Sequence, residues 1–327
     1  MAIKLHLHIY IILLISCGTL TGNPEGDGGD DSQGEANTPE ITVPDSEQTA
    51  ENEDEQDNSS ENIASGDDSE AGGEKFQEVK TMSESEMLAQ NDTNSGVKIF
   101  LTDAPVDDFS HIMIHLDKVI LVGEQGQIEQ DIEDTLINML DLQGGVSALV
   151  ADFDSAPLGT YSEIRLVLTS DRPSYGILKS GGEINFEIPS ASSSGIKIKY
   201  DFEVSEGRGA NIVLDFDLRK SVKQRGNGIH FMVPVLRPVL QADSGAVELT
   251  LNNRASLVCV FSELSDAEND SECDQAISSA TEKNGKYKLS FLPRGTYVVK
   301  ILYKDLPQAF IQNVEVVAGN TTDLNDD

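Results

Sequence analysis

The sequence has few basic residues. It contains 23 Lys and Arg against 57 Asp and Glu among 327 residues, which gives a formal net charge of −34 at pH 7. Proteins that bind nucleic acids or anionic membrane surfaces present basic patches, because those patches attract phosphate groups and displace their counterions. We therefore expect no nucleic-acid partner, and no attachment to a membrane surface through charge.

Histidine is also scarce, with five in the whole chain. His111 and His115 lie four positions apart on a predicted strand, and about 3.3 Å per residue separates them by about 13 Å, too far to share one zinc ion. We expect both on a solvated face. The sequence contains no Gly-x-Ser-x-Gly elbow, phosphate-binding loop or His-Glu-x-x-His motif. We therefore predict that the protein is not an enzyme.

The N-terminal apolar run is short. It follows Lys4 and covers residues 9–15, whereas a membrane-spanning helix needs about 20 apolar residues. Its length is that of a secretory signal, and residues 14–17 read Leu-Ile-Ser-Cys, which resembles the lipobox of bacterial lipoproteins. We predict a signal peptide at 1–16 and lipidation of Cys17, whose two acyl chains would anchor the chain to a membrane. The alternative is an ordinary cleaved signal with an incidental Cys17.

The lipobox also predicts an address in the bacterial cell envelope. Gly18 follows Cys17, in place of the aspartate that is associated with retention in the inner membrane of enteric bacteria. The outer membrane or the cell surface is therefore the predicted location, with the lipid anchor as the contact to the membrane.

Residues 17–95 are acidic and rich in glycine and serine. Only Lys75 and Lys80 oppose their many Asp and Glu, and Phe76 is their single aromatic residue. Such a composition buries too little apolar surface to offset the entropy of ordering the backbone. We predict a disordered linker that holds the rest of the chain away from the membrane.

The remainder of the chain alternates apolar and polar residues. Ile112, Ile114 and Leu116 alternate with polar or less apolar neighbours, and Leu214, Phe216 and Leu218 do the same. A period of two is the signature of a strand with one buried face. Turn residues separate several such runs, so we predict an all-β chain with two antiparallel β-sandwich domains, at 96–242 and 243–327.

The first of these domains carries several motifs in order across residues 97–239. These are Leu-Thr-Asp-Ala-Pro-Val-Asp-Asp at 101–108, Leu-Asp-Leu and Gly-Gly-Val at 140–146, Ala-Pro-Leu-Gly-Thr-Tyr at 156–161, and Val-Leu-Asp-Phe-Asp-Leu-Arg-Lys-Ser-Val at 213–222. With these motifs the domain resembles the bacterial and archaeal family known as domain of unknown function 4382. The family implies a secreted or lipid-anchored protein and no particular reaction.

The second domain, residues 243–327, contains Glu-Lys-Asn-Gly-Lys-Tyr at 282–287, Leu-Pro-Arg-Gly-Thr-Tyr at 292–297 and Asn-Val-Glu-Val at 313–316. In these pieces it resembles the carboxypeptidase regulatory-like, or transthyretin-like, domain. A glycine-rich signature that the family carries before its second strand is missing at 252–254. The resemblance implies a small structural sandwich, without peptidase activity.

Three cysteines are present. With Cys17 taken by lipid, Cys259 and Cys273 form one pair, which we predict to be a disulfide in an oxidising compartment. The alternatives are a metal pair or a catalytic thiol, but no histidine follows His230 to assist either of them.

Carboxylates are the candidate ligands for a hard metal ion. Asp103, Asp107 and Asp108 share one loop, and Asp215 and Asp217 share one strand face. Their oxygens suit calcium, although their spacing is not that of an EF-hand. We favour turn-forming and surface carboxylates, with pairing of Arg219 and Lys220 to the strand carboxylates, and we predict no cofactor, with calcium as the candidate if one binds.

Two functions follow from these observations. We predict a lipid-anchored envelope protein of non-enzymatic binding or structural role, with a glycan or another envelope protein as partner. The alternative is a calcium-dependent extracellular hydrolase that uses the Asp clusters. Convergence of these carboxylates on one cleft would favour the alternative.

Overall fold

The computed structural model describes residues 79–88, 96–106, 108–226 and 230–325. The predicted signal peptide, the lipobox with Cys17, the acidic linker up to residue 78 and Asp107 lie outside the described residues.

Nearly all regular structure is β-strand, which confirms the predicted all-β class. The strands are β1 (Thr81–Ser83), β2 (Val97–Ala104), β3 (Phe109–Gly123), β4 (Gly126–Asn138), β5 (Val146–Phe153), β6 (Gly159–Leu168), β7 (Tyr175–Leu178), β8 (Glu183–Asn185), β9 (Ile196–Val204), β10 (Ala210–Asp217), β11 (Val222–Gln224), β12 (His230–Met232), β13 (Leu236–Leu240), β14 (Ser244–Leu249), β15 (Leu257–Phe261), β16 (Ser278–Ala280), β17 (Tyr287–Pro293), β18 (Gly295–Leu302), β19 (Ala309–Val316) and β20 (Thr321–Asp323). The α-helices are α1 (Glu84–Leu88), α2 (Leu218–Ser221) and α3 (Leu264–Asn269), and 3₁₀ helices cover Met139–Leu142 and Gln241–Asp243.

Two larger sheets make the N-terminal sandwich. One has the strand order β1-β5-β2-β10-β13, and the other has the order β8-β7-β3-β6-β9, with β4 paired to β3. Side chains from both sheets fill one hydrophobic core. Ile212, Leu214 and Phe216 belong to this core, as their alternation predicts.

Two smaller sheets make the C-terminal sandwich. Their strand orders are β17-β14-β20 and β16-β15-β18-β19. Val247 and Leu289 from one sheet pack with Val260 and Val299 from the other in a separate core. Each sandwich therefore buries its own apolar faces.

Most strand pairs are antiparallel, as predicted, but β2 pairs with β10 in parallel, and β14 pairs with β20 in parallel. Alternation of side chains says which face of a strand is buried and carries no information about direction. β2 also reads as a nearly continuous apolar run, because Ile99 faces the main core while Phe100 faces a second apolar cluster on the other side of the sheet.

Residues 79–88, which we call the amino-terminal clip, are folded, so this part of the predicted linker is ordered. β1 pairs with β5, and Met82 and Met87 pack with Phe291 of the C-terminal sandwich. Ser83 and Glu86 form a capping box, in which Ser83 N donates to Glu86 Oε2 at 2.8 Å and Glu86 N donates to Ser83 Oγ at 3.3 Å. The average composition of the linker did not reveal this short segment, in which a capping box lies beside two apolar methionines.

Candidate ligand site between the two sandwiches

Three cations of the N-terminal sandwich reach backbone carbonyls of the C-terminal sandwich. Arg219 Nη1 donates to Glu272 O at 2.9 Å, and Lys220 Nζ donates to Ala276 O at 2.6 Å. Arg237 Nη1 donates to Phe291 O at 2.9 Å. These charge-assisted bonds satisfy carbonyls that the C-terminal sandwich leaves open, and they fix the two sandwiches against each other.

A cavity of about 320 Å³ lies between the sandwiches. Asp103, Gln143 and Asp215 line it from the N-terminal side, and Ser279 and Ser290 line it from the C-terminal side. Its size is at the lower end of the range of small-molecule sites.

Gly145 forms part of the cavity wall. Its φ of +85° is one that residues with a side chain rarely adopt, and a Cβ there would lie 2.7 Å from Ser290 Oγ. A glycine is therefore required where the backbone of one sandwich approaches the hydroxyl of the other.

Asp103 stands at the end of β2 and is only 7% exposed. Gln143 Nε2 donates to its Oδ2 at 3.3 Å, whereas its Oδ1 has no hydrogen-bond partner. Burial raises the pKa of Asp103 well above its ordinary value, and the carboxylates of Asp215 and Asp217 raise it further. This shift favours the neutral acid, which is both a donor and an acceptor, although the hydrogen bond from Gln143 opposes it.

Asp215 and Asp217 are 6% and 8% exposed, so their predicted place on the surface is wrong. They do lie opposite the core face of β10, but the C-terminal sandwich covers that side. Asp215 Oδ2 lies 2.6 Å from Arg237 Nη2, and Asp217 Oδ2 lies 2.9 Å from Lys220 Nζ. Burial raises the pKa of Asp215, and the charge of Arg237 opposes that rise.

The structure thus supports part of the predicted pairing of basic residues. Lys220 pairs with Asp217 within one turn, and its backbone N–H also donates to Asp217 Oδ1 at 3.0 Å at the start of α2. Arg219 instead reaches the loop around Cys273, with Asp274 Oδ1 at 3.3 Å from its Nη1.

The candidate calcium ligands are only partly brought together. Asp103 and Asp215 line the same cavity, but the exposed Asp108 lines a different groove, beside His230. Within the described ranges, no group of three or more His, Cys, Asp or Glu side chains has an arrangement suited to a metal ion. The buried carboxylates face Arg237 and Lys220 instead.

One of the two histidines on β3 differs from the prediction. His111 is exposed, as predicted, but His115 is buried and its ring lies 6.3 Å from that of Tyr175. The segment before β7 also contacts this residue, because His115 N donates to Ser174 Oγ at 3.3 Å.

Ser279 and Ser290 are site residues that the sequence did not reveal. Each lines the cavity, and the Oγ atom of each is buried without a hydrogen-bond partner. Serine in a strand has no motif around it, so no sequence signal marks these two. Together with Asp103 Oδ1 they place three unpartnered polar oxygens around one cavity.

The predicted disulfide between Cys259 and Cys273 is present, with a Cα–Cα distance of 6.2 Å. Beside it, the fully buried Lys300 donates from Nζ to Ala267 O at 2.7 Å and also to Asp270 O. Burial lowers the pKa of Lys300. The disulfide and the ammonium group hold the loop that receives Arg219.

In the part of the chain that the structure describes, no helix combines the length and the apolar character needed to cross a bilayer.

Residues 94–234 match the family model described as Domain of unknown function (DUF4382), which confirms the first resemblance. The likeness of residues 243–327 to the carboxypeptidase regulatory-like domain stays a prediction. No curated protein matches the sequence.

Several solved structures share a low overall likeness with the chain. The Bacillus anthracis TIE protein is 14% identical, with 71% of this chain and 33% of that chain covered and a TM-score of 0.18. CBMbc, a family CBM26 module of Eubacterium rectale Amy13K solved with maltoheptaose, is 8% identical, with 71% and 92% covered and a TM-score of 0.19. GBS52, the minor pilin of Streptococcus agalactiae, is 10% identical, with 70% and 94% covered and a TM-score of 0.18. The chain spans about a third of the first of these proteins, and TM-scores this low carry no conclusion about function.

Proposed function

We propose that this protein is a lipid-anchored protein of the bacterial cell envelope, held at the outer membrane or cell surface through Cys17, and that its two sandwiches form a non-enzymatic binding module. As domains we propose the predicted ranges 96–242 and 243–327, one for each sandwich. The partner is a glycan or another envelope component that enters the cavity between them.

The unpartnered oxygens around the cavity carry this proposal. A buried polar atom without a partner costs about 1–3 kcal/mol, and native proteins keep few of them. Asp103, Ser279 and Ser290 each present such an atom at one cavity. We propose that a polar ligand in the cavity supplies the missing hydrogen bonds to these atoms, which would offset that cost.

The anchor is tested by Cys17→Ser. The variant should lose metabolic labelling with fatty acid and move from the membrane fraction to the soluble fraction, because the predicted anchor depends on that thiol. An unchanged membrane fraction would contradict the anchor. The matched control is Ser16→Ala, which should keep the label.

The binding role is tested with the soluble Cys17→Ser protein and isolated envelope polymers. Binding that a Ser279→Ala, Ser290→Ala double variant loses would support the cavity as the site. Hydrolysis of those polymers by the unmodified protein would instead support an enzyme.

A calcium-dependent hydrolase is the second candidate, because Asp103 lines the same cavity as Asp215. Against it, Arg237 and Lys220 already neutralise Asp215 and Asp217, so a divalent cation would have to displace two ammonium or guanidinium groups. Melting temperatures that are equal in calcium and in chelator are expected. A rise in calcium that Asp215→Asn removes would favour the hydrolase.

A further inference from the structure

We propose that the cavity between the two sandwiches binds a sugar residue that carries one carboxylate, with Lys283 as the cation that pairs with it. This inference rests on the proposed binding function and names the class of ligand. It follows from the charges and the polar groups that line the cavity.

The charges around the cavity nearly cancel. Lys286 Nζ lies 2.6 Å from Glu248 Oε1, and Lys288 Nζ lies 3.0 Å from Glu84 Oε2. Asp215 is paired with Arg237. Each of these charged lining residues is therefore paired, with Glu84 and Arg237 as partners from outside the lining.

Lys283 is the exception. Its Nζ donates to Gln143 O at 2.8 Å, and it forms no ion pair with a carboxylate of the described residues. It is exposed at the turn between β16 and β17 and lines the cavity. One positive charge at the mouth of an otherwise neutral cavity favours a ligand with one negative charge.

The unpartnered polar groups that line the cavity suit hydroxyl groups. The hydroxyls of Ser279 and Ser290 each donate and accept, and sugar hydroxyls also do both. A cationic ligand or a zwitterion would need an unpaired carboxylate. Among the described residues that line the cavity, Asp215 and Glu248 are each paired with a cation, and burial of Asp103 raises the pKa of its carboxyl, which favours its neutral form.

The ligand class is tested by calorimetric titration of the full-length Cys17→Ser protein. The probes are a galacturonate oligosaccharide and a neutral galactose oligosaccharide of the same length. We expect the acidic probe to bind at least about tenfold more tightly, and Lys283→Gln to remove about that factor. The matched control is Lys304→Gln, an exposed lysine outside the cavity, which should leave both affinities unchanged.

The serines separate a ligand role from a structural role. Ser279→Ala and Ser290→Ala should leave the melting temperature of the free protein unchanged or raised, because each removes an unpartnered hydroxyl, and should weaken binding of the acidic probe. Ser244→Ala is the contrast, since the buried Ser244 donates to Gln241 O at 2.9 Å. That variant should melt at a lower temperature.

The outcomes distinguish this inference from the proposed function. Equal binding of the acidic and neutral probes would overturn the proposed recognition of a carboxylate by Lys283 and leave the proposed binding function in place. Binding of the acidic probe that no cavity variant weakens would overturn the cavity as its site. Failure to bind any isolated envelope polymer would overturn both.

Discussion

Arg237 Nη2 lies 2.6 Å from Asp215 Oδ2, and the two residues face each other across the antiparallel pair β10 and β13. The same guanidinium group bonds Phe291 O of the other sandwich. The ion pair is therefore part of the N-terminal sheet and of the contact between the sandwiches, where neither partner is freely solvated.

We expect Asp215→Ala to lower the free energy of unfolding by about 3 kcal/mol, because it leaves a largely buried guanidinium without its counter-charge. Chemical denaturation measures this. The control is Glu248→Ala, whose partner Lys286 is 54% exposed, and which should cost less than about 1 kcal/mol. Equal losses of unfolding free energy in the two variants would show that the pair of Asp215 and Arg237 contributes no more than an exposed ion pair.

Asp103→Asn should stabilise the protein at neutral pH. Below about pH 4 the Asp103 carboxyl is protonated in both states. As the pH rises, the unfolded chain releases this proton while burial keeps it on the folded protein, so Asp103 lowers stability until its raised folded pKa is reached.

The advantage of Asp103→Asn over the natural protein should therefore grow from pH 4 to pH 8 in urea denaturation. Asp108→Asn, at an exposed turn, serves as the control. An advantage that is largest at pH 4 would contradict the raised pKa.

Met87→Ala tests the amino-terminal clip. Met87 is buried against Phe100, Val213 and Phe291, so its truncation should cost about 2–5 kcal/mol through lost burial and a cavity. The exposed Ser85→Ala variant should cost little. Limited proteolysis should leave a resistant fragment of the natural protein that begins before Val79, and a fragment beginning near Val97 would show that the clip detaches.

Replacing Cys259 and Cys273 together with alanine should lower the free energy of unfolding by about 3 kcal/mol in the chain-entropy model. The disulfide closes a loop with a sequence separation of 14. Reductant should lower the denaturation midpoint of the natural protein and leave that of the variant unchanged. A natural protein insensitive to complete reduction would mean that Lys300 holds the loop without the disulfide.

The strands could be predicted from the sequence, but the residues that cover their outer faces could not. Alternation correctly buries Leu214 and Phe216, yet it also predicted that Asp215 meets water. A polar face is ordinarily solvated, and here the covering surface comes from Phe291 and from the clip, both remote in sequence. The alternation of apolar and polar residues along one strand does not reveal contacts with residues remote in sequence.

For the same reason, only part of the candidate site could be predicted from the sequence. Asp103 and Asp215 stood out as acids in turn and strand motifs. Ser279 and Ser290 come from the second sandwich and belong to no motif, and Lys283 stands in the motif at 282–287 with nothing there to mark it as a ligand-binding residue. Their candidate role in ligand binding follows from two features of the folded protein. The two sandwiches meet at these residues, and the hydroxyls of the two serines have no hydrogen-bond partner there.

The parallel pairing of β2 with β10 has a consequence for how the chain acquires its structure. All strands from β3 to β9 lie between these two partners in sequence, so a long loop must close before their ladder can form, and such topologies fold slowly. During synthesis, which proceeds from the N-terminus, one edge of β2 stays unpaired until β10, which begins at Ala210, has been made. An incompletely synthesised or truncated chain therefore exposes an apolar edge that favours aggregation.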